Sequence, residues 1–464
     1  MKQMAQLGLL CSLLVAGCAE VEPSPATLMP HYEPALSAVA QAALEARQAG
    51  VRNAPTDPES WRQLGSTYLA DRHYDAAISC FQELVRLDPA EGSSWLLLGV
   101  AWEQIGDDGQ AMEAYVRGHE ATRPCTAAAW RAALLNLDAG QAKTALALAE
   151  SAVRADERDV MARLVLGRAL MEVDMAPQAQ QVLKSVVAQR PAMPYARLLL
   201  GKAQQRTGDE AARANLRLGS GSTMVWADQW SSQALMRGVS GSGRFRVATA
   251  LFDQGKFDRA IHILRALVAE YPSRVDYRVM LAQSLRAVDT LDEALSLLES
   301  VLQDDPKSHA ALSQAAGVLF RQWQQDARAS DLQVSLAYLD RAVDLTQTDG
   351  RNWVLRAEVR RASGDLEGAA ADLERAADLW PHRPSLALQA AQLRLLLGEH
   401  EASLQLLDDL KADFPRDVKV LALQGQVYLA LGRTVEAESV ASDAAMVNPD
   451  HPAVQSLIQK LQRP

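Results

Sequence analysis

The sequence predicts an all-α protein in which antiparallel helix pairs stack into a solenoid. Of its 464 residues, 48% are hydrophobic but only 5% are aromatic, and abundant Ala and Leu favour close-packed helices over β-sandwiches. Prolines follow one interval: Pro272 and Pro306 are 34 residues apart, and so are Pro381 and Pro415. Apolar residues between such prolines recur every three or four positions, which is typical of amphipathic helices. A single helix pair cannot bury its apolar stripe, so we expect neighbouring pairs to stack.

The net charge argues against one class of partner. The chain carries 47 Lys and Arg against 57 Asp and Glu, which gives a formal charge of -10. An acidic protein without a basic cluster repels phosphate backbones. We therefore expect no nucleic-acid partner.

The N-terminus is typical of an exported protein. Residues 1–17 contain one positive charge, Lys2, followed by the apolar run Leu7–Gly17. As a helix this run would rise about 16 Å, far less than the hydrocarbon core of a bilayer at about 30 Å. A basic start, a short apolar core and small residues at its end predict a signal peptide over residues 1–17.

The end of that segment, Val15-Ala16-Gly17-Cys18, resembles the bacterial lipobox. The resemblance implies cleavage before Cys18 and acylation of that cysteine, so the membrane would be contacted through this lipid only. Ala19, in place of Asp, implies by the same resemblance an outer-membrane protein facing the periplasm. The alternative is ordinary cleavage, which would leave a soluble secreted protein.

Residues 18–34 form the predicted tether. Four prolines lie between Glu20 and Pro34, which predicts a semi-extended segment holding the folded body away from lipid. Beyond it, Cys80 and Cys125 are the remaining thiols. They could form a disulfide, but the favoured interpretation is that both are small buried residues that do not pair.

One unit shows what repeats. Trp61, Leu64 and Tyr68 recur at intervals of three and four, so they form one apolar stripe on a first helix. Ala77 and Phe81 belong to a similar stripe on a second helix. Small residues between them allow the two helices to approach closely.

This unit, which ends at Pro89, resembles the tetratricopeptide repeat, with its pattern W-x₂-L-G-x₂-Y, A-x₃-F and a closing P at a period of 34. The resemblance covers roughly Asp57–Pro452, in about eleven units of which two are degenerate. It implies a right-handed superhelix whose first helices line a concave groove for a protein or peptide. Glycines near the turns are expected to end helices in the left-handed conformation; they are Gly106, Gly208, Gly255, Gly364, Gly398 and Gly432.

Two interruptions divide the array. Residues 219–243 place Trp226 and Trp230 between Gly/Ser-rich flanks, so residues 35–218 and 244–464 are predicted to be two solenoid halves, each with a capping helix at its free end. The two rings either fill the gap between the halves or form an exposed clamp for a ligand. The other interruption, Arg321–Asp331, is expected to lengthen a turn.

No constellation of catalytic residues is present in the sequence. Phosphate-binding and nucleophile-elbow motifs are absent, and the eight histidines are scattered singly. We therefore predict a protein that is not an enzyme and that has no cofactor, metal or small-molecule substrate.

The predicted binding surface is the groove that the resemblance implies. Residues one, five and eight places after the Trp61-type position should face it, and they mix apolar side chains with Arg, as protein interfaces do. The apolar members could instead pack between neighbouring helices. The candidates are Arg62, Arg131, Leu164, Arg168, Leu198, Lys202, Phe245, Phe252, Gln283, Arg286, Glu358 and Arg361.

The sequence thus predicts a lipid-anchored, periplasm-facing scaffold that binds proteins or peptides. The alternative is an assembly or export factor for an envelope polysaccharide or a secretion system. A catalytic subunit is the third and weakest hypothesis.

The anchor is testable at Cys18. Cys18→Ser removes the sulfur that would carry the lipid, so the variant should leave the membrane fraction and stay unprocessed. Fractionation and N-terminal analysis measure both effects. Equal recovery of variant and wild type in membranes, with unchanged processing, would contradict the prediction.

Overall fold

The structure, a computed structural model, describes residues 36–462. The predicted signal peptide, Cys18 and the tether lie outside the described residues. Within 36–462 the protein consists of 25 α-helices without a β-strand. The predicted all-α class is therefore confirmed.

The helices up to the first interruption are α1 (Ala38–Asn53), α2 (Pro58–Ala70), α3 (Tyr74–Leu87), α4 (Gly92–Ile105), α5 (Asp108–Glu120), α6 (Thr126–Asp138), α7 (Ala142–Ala155), α8 (Val160–Glu172), α9 (Ala176–Gln189), α10 (Pro194–Thr207) and α11 (Ala212–Leu218).

The remaining helices are α12 (Gln229–Leu235), α13 (Gly241–Asp253), α14 (Phe257–Glu270), α15 (Val275–Ala287), α16 (Leu291–Asp304), α17 (His309–Asp326), α18 (Ala329–Leu345), α19 (Gly350–Ser363), α20 (Leu366–Leu379), α21 (Pro384–Leu396), α22 (His400–Asp413), α23 (Val418–Ala430), α24 (Thr434–Val447) and α25 (Pro452–Leu461).

These helices form eleven consecutive antiparallel pairs in the described range, from α2/α3 to α10/α11 and from α13/α14 to α23/α24. The predicted solenoid of about eleven units is thereby confirmed. Helices α1 and α25 cap the two ends, and α12 stands alone between the halves. The pair α10/α11 is degenerate, because α11 has only 7 residues.

In several pairs of the N-terminal half, a large side chain of the second helix lies directly on a glycine of the first. A Cβ built on Gly65 of α2 would lie 2.6 Å from the Phe81 ring of α3, and one on Gly99 would lie 2.4 Å from the Tyr115 ring. Both rings are completely buried. Because any larger residue would collide with the ring, glycine sets the close distance between the two helices.

The turn between the helices of a pair repeats as regularly. A residue with positive φ occurs at Arg72, Gly106, Gly140, Asp174 and Gly208, each 34 positions after the last. All six glycines predicted to end helices in the left-handed conformation do so. Arg72 and Asp174 adopt it at an energetic cost that glycine avoids.

The second interruption differs from the prediction. Residues 321–331 do not lengthen a turn; they extend the helices, so α17 has 18 residues and α18 has 17, against 13 or 14 in a regular pair. Phe320 and Trp323 stack at 5.6 Å on the added turn of α17. Arg321 and Asp326 are exposed on the extended part of α17, whereas Asp331 in the first turn of α18 is buried.

The first interruption returns the chain to its starting point. The return segment, residues 219–240, leaves α11 and reaches the end of α2, where the carboxylate of Asp71 accepts hydrogen bonds from the backbone N–H of Val239 (3.2 Å) and the hydroxyl of Ser240 (2.7 Å). Helix α13 follows at once, three residues before the predicted start of the C-terminal half at 244.

The halves meet again at the other end of the first half. Asp413 of α22 forms ion pairs with Arg213 and Arg217 of α11. The guanidinium of Arg217 also donates to the carbonyl of Pro381 at 3.2 Å. The first pair therefore holds the end of the return segment just before α13, and the C-terminal half itself contacts the fifth pair.

Cys80 and Cys125 are buried and unpaired, as the favoured interpretation held. Burial raises the pKa of both thiols, so each stays protonated and unreactive. None of the helices within residues 36–462 has the length and apolarity that crossing a membrane requires.

The packing predicts a local loss of stability. Leu64 is 1% exposed in the core of the first pair, so Leu64→Ala should cost about 2–5 kcal/mol. The matched control Leu396→Ala, at a leucine that is 73% exposed, should change stability by less than about 0.5 kcal/mol. Thermal melts measure both. In a repeat array the loss stays near its own unit, so uniform destabilisation of both halves would contradict this account.

Candidate functional site

The first helices of the pairs line the inner side of the curve. Neighbouring first helices contact one another, as α4 does with α6 and α6 with α8, whereas neighbouring second helices in the described part make no comparable contacts. Stacked helix pairs curve toward the side where their helices are closer. We call the inner face formed by α2, α4, α6, α8 and α10 the N-terminal groove.

Several predicted groove residues of this half contact neighbouring pairs. Arg62 donates to Ser94 of the next pair at 2.9 Å, and Arg168 pairs with Asp138 of the previous one at 2.6 Å. Leu164 is completely buried, so it packs between helices and cannot contact a ligand. Lys202 is exposed on α10.

The predicted residues of the C-terminal half are spread over three first helices. Phe245 packs on the Tyr277 ring at 4.9 Å, and Phe252 on Phe257 at 5.2 Å. Both rings are therefore engaged within the stack. The other four are half-buried or exposed on α15 and α19; they are Gln283, Arg286, Glu358 and Arg361.

The N-terminal groove is occupied by the return segment. Before α12 the segment is extended, and burial alternates along it: Met224, Trp226 and Asp228 are turned inward, while Val225 and Ala227 are exposed. An alternation with period two is the pattern of an extended chain lying on a surface. Leu198, another predicted groove residue, backs the start of the segment at Gly219.

Trp226 lies between two first helices of this groove. Its ring centroid is 6.3 Å from that of Trp130 on α6 and 5.8 Å from that of Tyr195 on α10, the latter edge to face. Trp230 packs against the same core. The two interpretations of this pair therefore need correction: the rings neither fill a gap between the halves nor form an open clamp, because they pack on the N-terminal half.

Arg131 is the centre of the contact. Its guanidinium donates to the Asp228 carboxylate at 3.0 Å and to the carbonyl of Trp226 at 2.9 Å. Arg131 and Asp228 are each 8% exposed. A buried pair of this kind is stable only when its remaining hydrogen-bonding positions are filled.

Neighbouring groups fill those positions. Arg131 also pairs with Glu103 of α4 at 3.1 Å, and the hydroxyl of Tyr115 donates to the same carboxylate. Burial raises the pKa of Tyr115 well above its usual value, so this phenol remains a donor. On the other side, Asp228 accepts from the backbone N–H of Ser231 at 2.7 Å and thereby caps α12.

The far end of the segment is fixed by the first pair and the capping helix. Arg47 of α1 donates to the carbonyl of Arg237, and the Arg237 side chain pairs with Glu59 at 3.7 Å. Together with Asp71, these contacts hold the segment along the groove from the fifth pair to the first.

Most of these partners were not predicted from the sequence. Arg131 and Leu198 were candidates, but Asp71, Asp228 and Tyr195 were not. The available signal was the order apolar, aromatic, acidic at alternate positions 224, 226 and 228 between glycines. That pattern predicts an extended strand, but it does not indicate which surface the strand covers.

Groups of His, Cys, Asp or Glu suited to a metal ion do not occur among the described residues. The geometry is that of a repeat protein with a groove for an extended chain. Sequence models described as Tetratricopeptide repeat match residues 136–203, 251–319 and 360–427, and a further one matches 62–124. Together they span more than half of the chain, which therefore belongs to the tetratricopeptide repeat family. Members of this family are generally scaffolds that bind protein or peptide partners.

Individual relatives are distant. A TPR repeat-containing protein of Treponema pallidum (strain Nichols) is 26% identical over 221 aligned positions, and the match covers 43% of this chain and 26% of that protein. The chain therefore matches about a quarter of that relative's length.

Two solved structures are among those similar to this chain. YrrB, described as a TPR protein with an unusual peptide-binding site, is 16% identical; the match covers 42% of this chain and 97% of YrrB with a TM-score of 0.37. PilF of Pseudomonas aeruginosa is 18% identical; the match covers 47% of this chain and 97% of PilF with a TM-score of 0.38.

The buried ion pair can be measured directly. Asp228→Asn keeps the cap on α12 but removes the negative charge that faces the buried Arg131. It should therefore lower the free energy of unfolding by about 3 kcal/mol. The matched control is the exposed pair Arg265–Glu293, at 2.8 Å, where Glu293→Gln should cost less than about 1 kcal/mol. Denaturant unfolding gives both values, and equal losses would contradict the buried role of Asp228.

Proposed function

We propose that this protein is a lipid-anchored scaffold that binds protein or peptide partners at the periplasmic face of a bacterial outer membrane. One observation carries the binding part: the inner face of the N-terminal half holds an extended stretch of polypeptide through a buried ion pair and aromatic contacts. A surface with these contacts has the shape and chemistry for peptide recognition.

The anchoring part is supported by the sequence before the described residues. The apolar run ends in Val15-Ala16-Gly17-Cys18, and the prolines of residues 18–34 separate that point from α1. One acyl chain gives marginal membrane binding, whereas several anchor a protein firmly. A diacylglycerol on the Cys18 sulfur together with an N-acyl chain would meet that requirement.

We propose binding rather than catalysis because of how the charged residues of the inner face are used. Arg62 bonds to the next pair and Arg168 to the previous one, so these side chains stabilise the stack. The exposed charges that remain, including Lys202 and Arg361, lie on different helices of different halves. Such a distribution suits an extended partner that contacts many repeats in succession.

The function is tested by charge reversal on the inner face. Lys202 and Arg361 lie on first helices. For the variants Lys202→Glu and Arg361→Glu we expect at least a tenfold loss of partner capture from detergent-solubilised membranes. Stability should change by less than about 0.5 kcal/mol, because both side chains are exposed.

Matched controls lie on the outer face. Lys143 of α7 and Arg375 of α20 are equally exposed basic residues on second helices, so Lys143→Glu and Arg375→Glu should retain every partner. If these controls lost the partners while the inner-face variants kept them, the inner face would not be the binding surface.

A further inference from the structure

We propose that the N-terminal groove recognises an extended peptide in which an aromatic residue is followed two positions later by a carboxylate, and that residues 222–230 are a resident copy of that ligand. This inference rests on the proposed function, because it states the chemistry of the partner. Because the groove is filled by a segment of the same chain, a partner must replace this resident segment.

The return segment is additional to the repeat array. Eleven helix pairs account for the solenoid, and the first helices beneath the segment already contact one another directly. The segment lies on this completed stack in the same way that a bound peptide would. Its outward residues Val225 and Ala227 are exposed, so the segment contacts the stack on one side only, as a peptide bound in a groove does.

The groove provides an aromatic subsite. Trp130 and Tyr195 come from different pairs, and both contact the Trp226 ring. Rings inclined at 42° and 84° to that of Trp226 give tilted and edge-to-face contacts, the arrangements that aromatic side chains prefer. An aromatic side chain of a partner would therefore fit the same position.

Arg131 provides the acidic subsite and fixes the register. It bonds to the side chain of Asp228 and to the main-chain carbonyl two residues earlier. One buried guanidinium thus binds both the acidic side chain and the extended backbone of the ligand. A peptide without the acid would leave Arg131 buried and incompletely paired, and the groove would discriminate against it.

The resident segment is attached in a way that permits exchange. Gly219-Ser220-Gly221-Ser222 precedes it, and Gly/Ser-rich sequences behave as flexible linkers. After it, Val239 and Ser240 are held by Asp71, so the segment stays attached at that end. A tethered ligand acts at an effective concentration in the millimolar range. The resident copy therefore keeps the groove filled even with modest intrinsic affinity, and a partner in trans must bind more tightly or at several sites.

The test uses the full chain and a synthetic peptide. In the vacated variant, the inward residues Met224, Trp226, Asp228 and Trp230 are all changed to Ser. A fluorescein-labelled peptide of residues 219–236 is then titrated and followed by anisotropy. We expect the vacated variant to bind it at least tenfold more tightly than the wild-type chain, whose groove is filled.

Controls isolate the two subsites and the register. Peptides carrying Trp226→Ala or Asp228→Asn should each bind the vacated variant at least tenfold more weakly. A matched variant with the outward residues Thr223, Val225, Ala227 and Gln229 changed to Ser should keep the groove filled, so it should bind the peptide as weakly as the wild type does.

If the vacated variant loses its helical circular dichroism, the single variant Asp228→Ser replaces it in the titration. Asp228→Ser leaves the rings of Trp226 and Trp230 in place. It should bind the peptide more tightly than wild type, with the same dependence on the peptide's acid. The proposal is overturned if a folded variant fails to bind, if the Asp228→Asn peptide binds equally well, or if both variants unfold. Partner capture is independent of this outcome: the groove inference would then fail, while inner-face binding elsewhere in the solenoid could stand.

Discussion

The rest of the structure depends on the close approach of the two helices within each pair. The Phe81 ring occupies the space over Gly65, and the Tyr115 ring the space over Gly99. This contact brings the two helices close together, and Leu183 lies over Gly167 in the same way. Because consecutive pairs share the same antiparallel order, they stack with their first helices on the same side. The groove is a consequence of that repetition.

A groove built in this way is lined by side chains that must also hold the stack together. Arg62 and Arg168 resolve this conflict by bonding to neighbouring pairs. Arg131 instead directs two of its donors outward, to Asp228 and the backbone of the return segment. A buried guanidinium without that carboxylate would be costly. The sequence of the groove and that of the segment are therefore physically coupled, although they are far apart in the chain.

This separation explains what the sequence could and could not predict. Helix pairs, left-handed glycines and capping helices depend on residues within one 34-residue unit, where spacing alone determines which face is apolar. The ion pair joins residues 97 positions apart, and the contact of Asp71 with Val239 spans 168. No local periodicity encodes such a return. Trp226 and Trp230 could be identified as residues requiring burial, but the surface that buries them lies in other repeats.

The return segment also determines how the two halves are joined. In an uninterrupted array the sixth pair would stack on the fifth, but here the segment carries the chain back, and α13 begins beside the end of α2. The second half is then held at two points, by Asp71 at the first pair and by Asp413 at the degenerate fifth pair. The segment therefore both lies in the N-terminal groove and joins the two halves. If a partner replaces the segment as we propose, its binding is coupled to this connection, and it acts only through its different affinities for the filled and the vacated groove.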